Sequence, residues 1–204
     1  WARQNVWMPW RRWNPEDSAT LPRFDDYVRE IALIMATGFR PDTNHGARPP
    51  VDVSVPDLYE EDSTGARKPF DPRHPFFNAL RRFRTLGIRP VIDLGPVPRQ
   101  LCKKPVMGFF GWNVAGPAGP AEYRKYHDFI RDLFLYLQGP AGFSRAELES
   151  WWFQLYREPD NHEVWDPRGA KQHLDAGNLE EFKVLYDHTL AAMRAAGLRS
   201  NLGF

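Results

Sequence analysis

The stretch "WWFQLYREPD", Trp151 to Asp160, sets Arg157, Glu158 and Pro159 directly behind a run that is almost wholly apolar and aromatic. A carboxylate delivered by such a run can serve as a general acid, because apolar neighbours disfavour its charged form and raise its pKa. Arg157 opposes that effect if its guanidinium points the same way. Pro159 cannot continue a strand's hydrogen-bond ladder and biases Glu158 toward extended backbone, so it ends the strand and holds the carboxylate at its tip. A structural ion pair between Glu158 and a nearby Arg is the alternative.

Three more side chains fall on loops expected near the same end of the strands: Trp112, Asn113 and Trp165. An exposed indole there would offer a flat face for stacking on a ligand; for Trp165 that role and a place in the core both remain open. His162 and Glu163 have no second pair of ligands beside them, so no metal site is expected. Cys102 is the only cysteine, which excludes an internal disulfide and a thiolate metal site within this chain.

The elements that must position these residues follow one rhythm: a short β-rich run, a loop, then an amphipathic helix ending in Gly. A first strand is predicted near Asn5 to Trp10. Phe24, Tyr27, Val28, Ile31, Leu33 and Ile34 then recur at helical spacing up to Thr37, before Gly38. A second strand is predicted near Phe39 to Asn44, with a Pro- and Asp-rich loop through Lys68. The next helix has Asp71 as expected N-cap, Pro72 at its first position, and Phe76, Phe77, Leu80, Phe83 and Leu86 on one face before Gly87.

"IRPVIDLG", Ile88 to Gly95, reads as a buried strand, and the Pro- and Gly-rich loop after it leads to a helix over Ala121 to Leu137. The run from Trp151 is short, bulky and not alternating, the pattern of a strand covered on both faces. A helix over Asn178 to Ala196 precedes Gly197 and a final short strand in "LRSNLGF".

Composition narrows the function classes. With 27 basic against 26 acidic residues, a net charge of +1 leaves no basic footprint for nucleic acid. The longest apolar run, around Ile31 to Ala36, is too short for a membrane span. Eight Trp and nineteen Pro suggest long ordered loops carrying aromatic platforms, as sugar-binding clefts do. No cofactor is expected.

Roughly four and a half β/α units imply a parallel sheet covered by helices. A doubly wound sheet would announce a Gly-rich phosphate turn, and none occurs. A (β/α)8 TIM barrel needs about 250 residues, so these 204 would form its first half or somewhat more, as a single partial barrel domain over 1–204. Trp1 in place of Met fits a processed N-terminus or a piece of a longer protein. Exposed sheet edges would otherwise call for a second chain, or the remaining C-terminal half, to complete the barrel.

"WWFQLYREPDNHEVW" resembles the W-x-F-E-x-W-N-E-P-[ND]-x-x-x-F-W signature of glycoside hydrolase family 39, the β-xylosidases and α-L-iduronidases among the clan A (β/α)8 barrels. "FDPRHPFFNALRRFRTLGIRPVIDLGPVPRQL" is similar to that family's helix, strand and G-F-M-P-like turn. "WNVAGPAGPAEYRKYHDFIRDL" and "EEFKVLYDHTLAAMRAAG" are similar to its next two helical segments. The resemblance runs from about Ile31 to Phe204.

The resemblance implies a retaining glycosidase in which Glu158 is the general acid/base at the end of the fourth strand. Retention needs a second carboxylate about 5 Å away, which the family takes from the seventh strand. No residue here fills that place; Asp93, Asp160 and Glu163 are acidic but do not match the position. Arg157 stands where the family has Asn. A guanidinium cannot both donate and accept as an amide does, but it grips a carboxylate or sulfate bidentately, so a substrate with an acidic group, such as a uronic acid, is one expectation and lost activity the other. "TNHG", Thr43 to Gly46, is similar to the family's R-x-H-G at the end of the second strand, which makes His45 a substrate-binding candidate beside Arg157, Trp112, Asn113 and Trp165. The competing class is an inactive barrel acting as a carbohydrate-binding or assembly protein. Secretion or a periplasmic location is expected, since polymer-degrading hydrolases commonly work outside the cell.

Overall fold

The computed structural model describes residues 51–106, 113–156, 165–167, 176–199 and 202–203. The chain divides into two compact units, one of Trp1–Val53 with Asp71–Ile92 and the other of Ser54–Phe70 with Asp93–Phe204. The strands are β1 (Val51–Ser54), β2 (Pro90–Asp93), β3 (Trp152–Gln154) and β4 (Leu202–Gly203).

In the first unit, helix α1 spans Pro75–Leu86. Phe76, Phe77, Leu80 and Phe83 are fully buried, as their spacing predicts. The start differs from the expected Asp71–Pro72. His74 is the N-cap, its Nδ1 accepting from Phe76 N at 3.2 Å, and Pro75 takes the first helical position. Asp71 instead closes the preceding turn, accepting from Arg73 N at 2.9 Å, so the second of two X-Pro steps starts the helix. Its end is as predicted: Gly87 sits at φ 68°, and Gly87 N and Ile88 N donate back to Arg84 O and Phe83 O at 2.9 and 2.8 Å.

The second unit pairs helix α2 (Pro120–Gln138) with helix α4 (Ala176–Ala195); a short helix α3 (Arg145–Glu149) lies between them in the chain. Tyr126, Phe129, Ile130, Leu133, Phe134 and Leu137 form the buried stripe of α2. Gln138 Nε2 ties the end of α2 to Ala196 O at 2.9 Å. Gly197, at φ 80°, repeats the Gly87 ending. The loop after β1 contains a small hairpin, with Glu61 bridged to Arg67 and its turn closed by Asp62 Oδ1 accepting from Thr64 N and Ala66 N at 2.7 and 3.1 Å. Arg67 then pairs with Asp132 of α2 at 2.8 Å and lies over the Phe70 ring, which fixes this loop against the helix.

The strand exits that fall in the second unit stand side by side. Val55 N donates to Asp93 O at 2.8 Å, Leu94 N donates to Gln154 O at 2.8 Å, and β3 pairs in parallel with β4 through Phe153↔Leu202 and Gln154↔Gly203. The order is therefore β1-β2-β3-β4. The strand predicted near Phe39 to Asn44 lies outside the described residues, as do the first predicted strand and helix. The strand next to β2 is Val51–Ser54, within a stretch read as loop.

The strand at the quoted run is also different from its expectation. It is three residues long, and Trp152 is 49% exposed while Phe153 is buried, its ring 5.0 Å from Phe134 of α2. Period-two geometry puts Trp152 and Gln154 on the opposite face from Phe153, so α2 covers one face only. Among the described residues no helix is long and apolar enough to cross a membrane.

Candidate functional site

Of the residues nominated from the sequence, Arg157, Glu158, His45 and Trp112 lie outside the described residues. Asn113 and Trp165 are described, together with the ends of strands β2 and β3.

Leu155 and Tyr156 continue β3 toward Arg157 and are both buried. The Tyr156 hydroxyl accepts from Val97 N at 2.9 Å, joining the end of β3 to the loop after β2. Burial raises the Tyr156 pKa well above that of a free phenol, so it stays protonated. Gly95 makes the close approach possible: a Cβ there would lie 2.6 Å from Leu155 O and 2.9 Å from Tyr156 Cε1. Asp93, 5% exposed at the β2 exit, accepts from Gly95 N at 3.0 Å.

The loop after β2 has no ladder to satisfy its backbone, and Asn113 does that work from inside. Its Nδ2 donates to Val97 O at 2.8 Å, to Cys102 Sγ at 3.1 Å and to Ala115 O at 3.2 Å. Its Oδ1 accepts from Val106 N at 3.1 Å and Ala115 N at 3.3 Å. At 2% exposed, with both ends of its amide occupied by this loop, Asn113 holds the loop's backbone together, a different task from the sugar contact expected from its position. Burial pushes the neighbouring Cys102 thiol up to about 11, which leaves it protonated and unreactive at neutral pH.

Trp165 resolves toward the core. It is 1% exposed, its ring lies 5.1 Å from Tyr156 and 6.0 Å from Phe182, and Nε1 donates to Asn178 O at 3.3 Å. An indole enclosed in this way has no free face, so of the two readings open for Trp165 the geometry fits a place in the core. Asp166 N donates to Val114 O at 2.9 Å, which fixes the same segment to the β2 loop. The residues that sequence reasoning passed over are Tyr156 and Gly95. The signal for them was the short spacing between a strand end and the "LGP" turn, legible only once the two strands were known to be neighbours.

A cavity of about 960 Å³ opens between the β2 loop and the starts of α2 and α4, with Lys103, Gly116, Tyr123, Pro167 and Glu181 in its walls. Neither Asn113 nor Trp165 lines it, so it adds nothing to the nominated site.

No family model matches the chain. Solved structures resemble it, two of them GH39 enzymes. The GH39 enzyme from Xanthomonas axonopodis pv. citri aligns with a TM-score of 0.54 and 19% identity, over 72% of this chain and 26% of the enzyme. A GH39 β-xylosidase from Caulobacter crescentus aligns with a TM-score of 0.53 and 21% identity, over 72% of this chain and 29% of that protein. This chain thus spans less than a third of either enzyme, and at such identities the likeness is one of fold.

Proposed function

We propose that the chain is the acid/base-bearing part of a retaining glycoside hydrolase built on a (β/α)8 barrel. The observation that carries this reading is the side-by-side arrangement of the β1, β2 and β3 exits, with Arg157 and Glu158 following Tyr156 in sequence. In barrels the chemistry gathers at the C-terminal ends of the strands. The fold likeness to two GH39 enzymes supports it. The face of β3 away from α2 supports it as well: Trp152 is half exposed, and Gln154 Nε2 is buried with no partner among the described residues, on the side that a barrel fills with side chains of its other strands.

In this proposal Glu158 protonates the leaving oxygen and later activates water, and a nucleophilic carboxylate about 5 Å away comes from outside these 204 residues. Arg157 binds an acidic group of the sugar, with His45 and Trp112 as further substrate contacts. A secreted or periplasmic location belongs to the same reading. The test is Glu158→Gln in the full-length protein, assayed on aryl glycosides with good and poor leaving groups. The expected loss is about 10²–10⁴-fold in turnover and greater for the poor leaving group, because only the latter needs the proton. Equal activity of variant and parent on both substrates ends the acid/base assignment.

A further inference from the structure

Helix α1 starts on an imidazole. A Ser, Thr or Asn at an N-cap accepts through an oxygen that stays an acceptor as the pH changes, whereas a histidine ring nitrogen accepts only while the ring is neutral. His74 caps through Nδ1, to which Phe76 N donates at 3.2 Å. A backbone N–H can only donate, so this bond requires the neutral ring with its proton on Nε2. The rest of the first turn is served by backbone: Pro75 has no N–H, and Phe77 N and Asn78 N reach His74 O at 3.0 and 3.4 Å. Within that turn it is the Phe76 N–H that depends on a titratable acceptor.

We infer that His74 makes the start of α1 a pH-sensitive latch, closed while the imidazole is neutral and released when it takes up a proton. Protonation sets an N–H on Nδ1 against the Phe76 N–H, two donors facing each other. Phe76 is fully buried, where folded proteins avoid leaving an N–H without its acceptor. The imidazolium also adds positive charge at a helix N-terminus, which the macrodipole disfavours. The ring is half buried and lies edge-on to Phe77 at 6.3 Å. Burial holds its pKa below the ordinary 6.5, against the pull of Asp71. Among the described residues the charged groups of this turn are Asp71, Arg73 and Arg81. Arg73 Nε lies 3.6 Å from Asp71 Oδ1 and offsets its charge, and Arg81 Nη2 donates to Pro72 O at 3.0 Å. A histidine with a lowered pKa in the folded state gives its full stabilisation above about pH 6.5 and loses it as pH falls through the window below. The preceding turn is closed by bonds that do not use the ring, His74 N to Asp71 O at 3.0 Å and Arg73 N to Asp71 Oδ1 at 2.9 Å, so the release is confined to the first turn of α1.

Two measurements on the full chain test the latch. Nitrogen NMR of the imidazole rings should show His74 with Nδ1 unprotonated and Nε2 protonated at about pH 7.5, titrating below the ordinary 6.5. A ring protonated on Nδ1 at that pH, or a midpoint at or above 6.5, overturns the inference, and neither result needs a variant. Hydrogen exchange at about pH 7.5 and about pH 5.5, corrected for the intrinsic rates, should show the amides of Phe76–Leu80 losing protection on the order of threefold or more in the parent. In His74→Asn, whose amide oxygen caps without titrating, the loss should be absent. The last turn of α1, Arg82–Leu86, should respond alike in the two proteins. Equal protection of Phe76–Leu80 at both pH values in the parent overturns the inference. So does an equal loss in His74→Asn, or a difference between the two proteins that reaches the last turn undiminished.

Discussion

Replacing Gly95 with alanine probes the contact on which the β2 and β3 exits depend. The added Cβ would lie 2.6 Å from Leu155 O and 2.9 and 3.0 Å from two ring carbons of Tyr156. The oxygen is backbone and Tyr156 is 3% exposed, so neither can swing aside and the two strand ends must separate. Overpacking of this kind costs about 1–3 kcal/mol, and loosening the Tyr156–Val97 hydrogen bond adds about 1 kcal/mol, together about 2–4 kcal/mol. For a chain of this size that corresponds to a Tm lowered by roughly 4–16 °C. Gly65→Ala is the reference: its φ of 80° penalises a side chain, but no atom lies within 4 Å of the new Cβ. Backbone strain alone costs about 1–2 kcal/mol there. Scanning calorimetry of the parent and both variants decides the matter. Gly95→Ala should be the less stable of the two, with turnover reduced further than stability alone explains. A Gly95→Ala protein as stable as the parent would refute the close packing of the two exits.

Two other outcomes are expected. His188 stacks on Tyr123 at 5.3 Å and faces His127 and Arg124 across the α2–α4 contact, with Asp187 beside it on its own helix. Burial, then the charges of His127 and Arg124, lower its pKa below the ordinary 6.5, against the pull of Asp187. A base with a depressed pKa in the folded state binds fewer protons there than in the unfolded state. Stability is therefore unaffected above about pH 6.5 and falls as pH drops through the window below it. His188→Gln should flatten the decline in Tm between about pH 7 and pH 5, and an identical slope would show that the α2–α4 contact does not feel this charge. Arg157→Asn should shift preference from uronic to neutral aryl glycosides by a factor on the order of ten or more, measured as the ratio of kcat/KM values. An unchanged ratio removes the acidic-group reading.

The parts of the fold visible in the sequence are those set by local periodicity. The aromatic stripe of α1, the apolar stripe of α2, and the Gly87 and Gly197 endings all follow from helical spacing and the left-handed freedom of glycine. Val51, Val53 and Val55 alternate with Asp52 and Ser54, a strand signal hidden between Pro49–Pro50 and Pro56. The start of α3 is written in Ser144 and Glu147, whose reciprocal bonds of 3.1 and 3.0 Å make a capping box.

The roles of Asn113 and Trp165 could not be read in this way, because residue type and loop placement suit both a sugar contact and a scaffold. What decides between them is demand. A long Pro- and Gly-rich loop leaves its own amides and carbonyls without a ladder, and the nearest side chain able to donate and accept at once is taken to satisfy them. Asn113 meets that demand with five contacts, and the Trp165 ring packs against Gly116 of the same loop. A side chain enlisted to hold a loop together is unavailable to the substrate. The groups left to do chemistry are then those the loop's own backbone does not require.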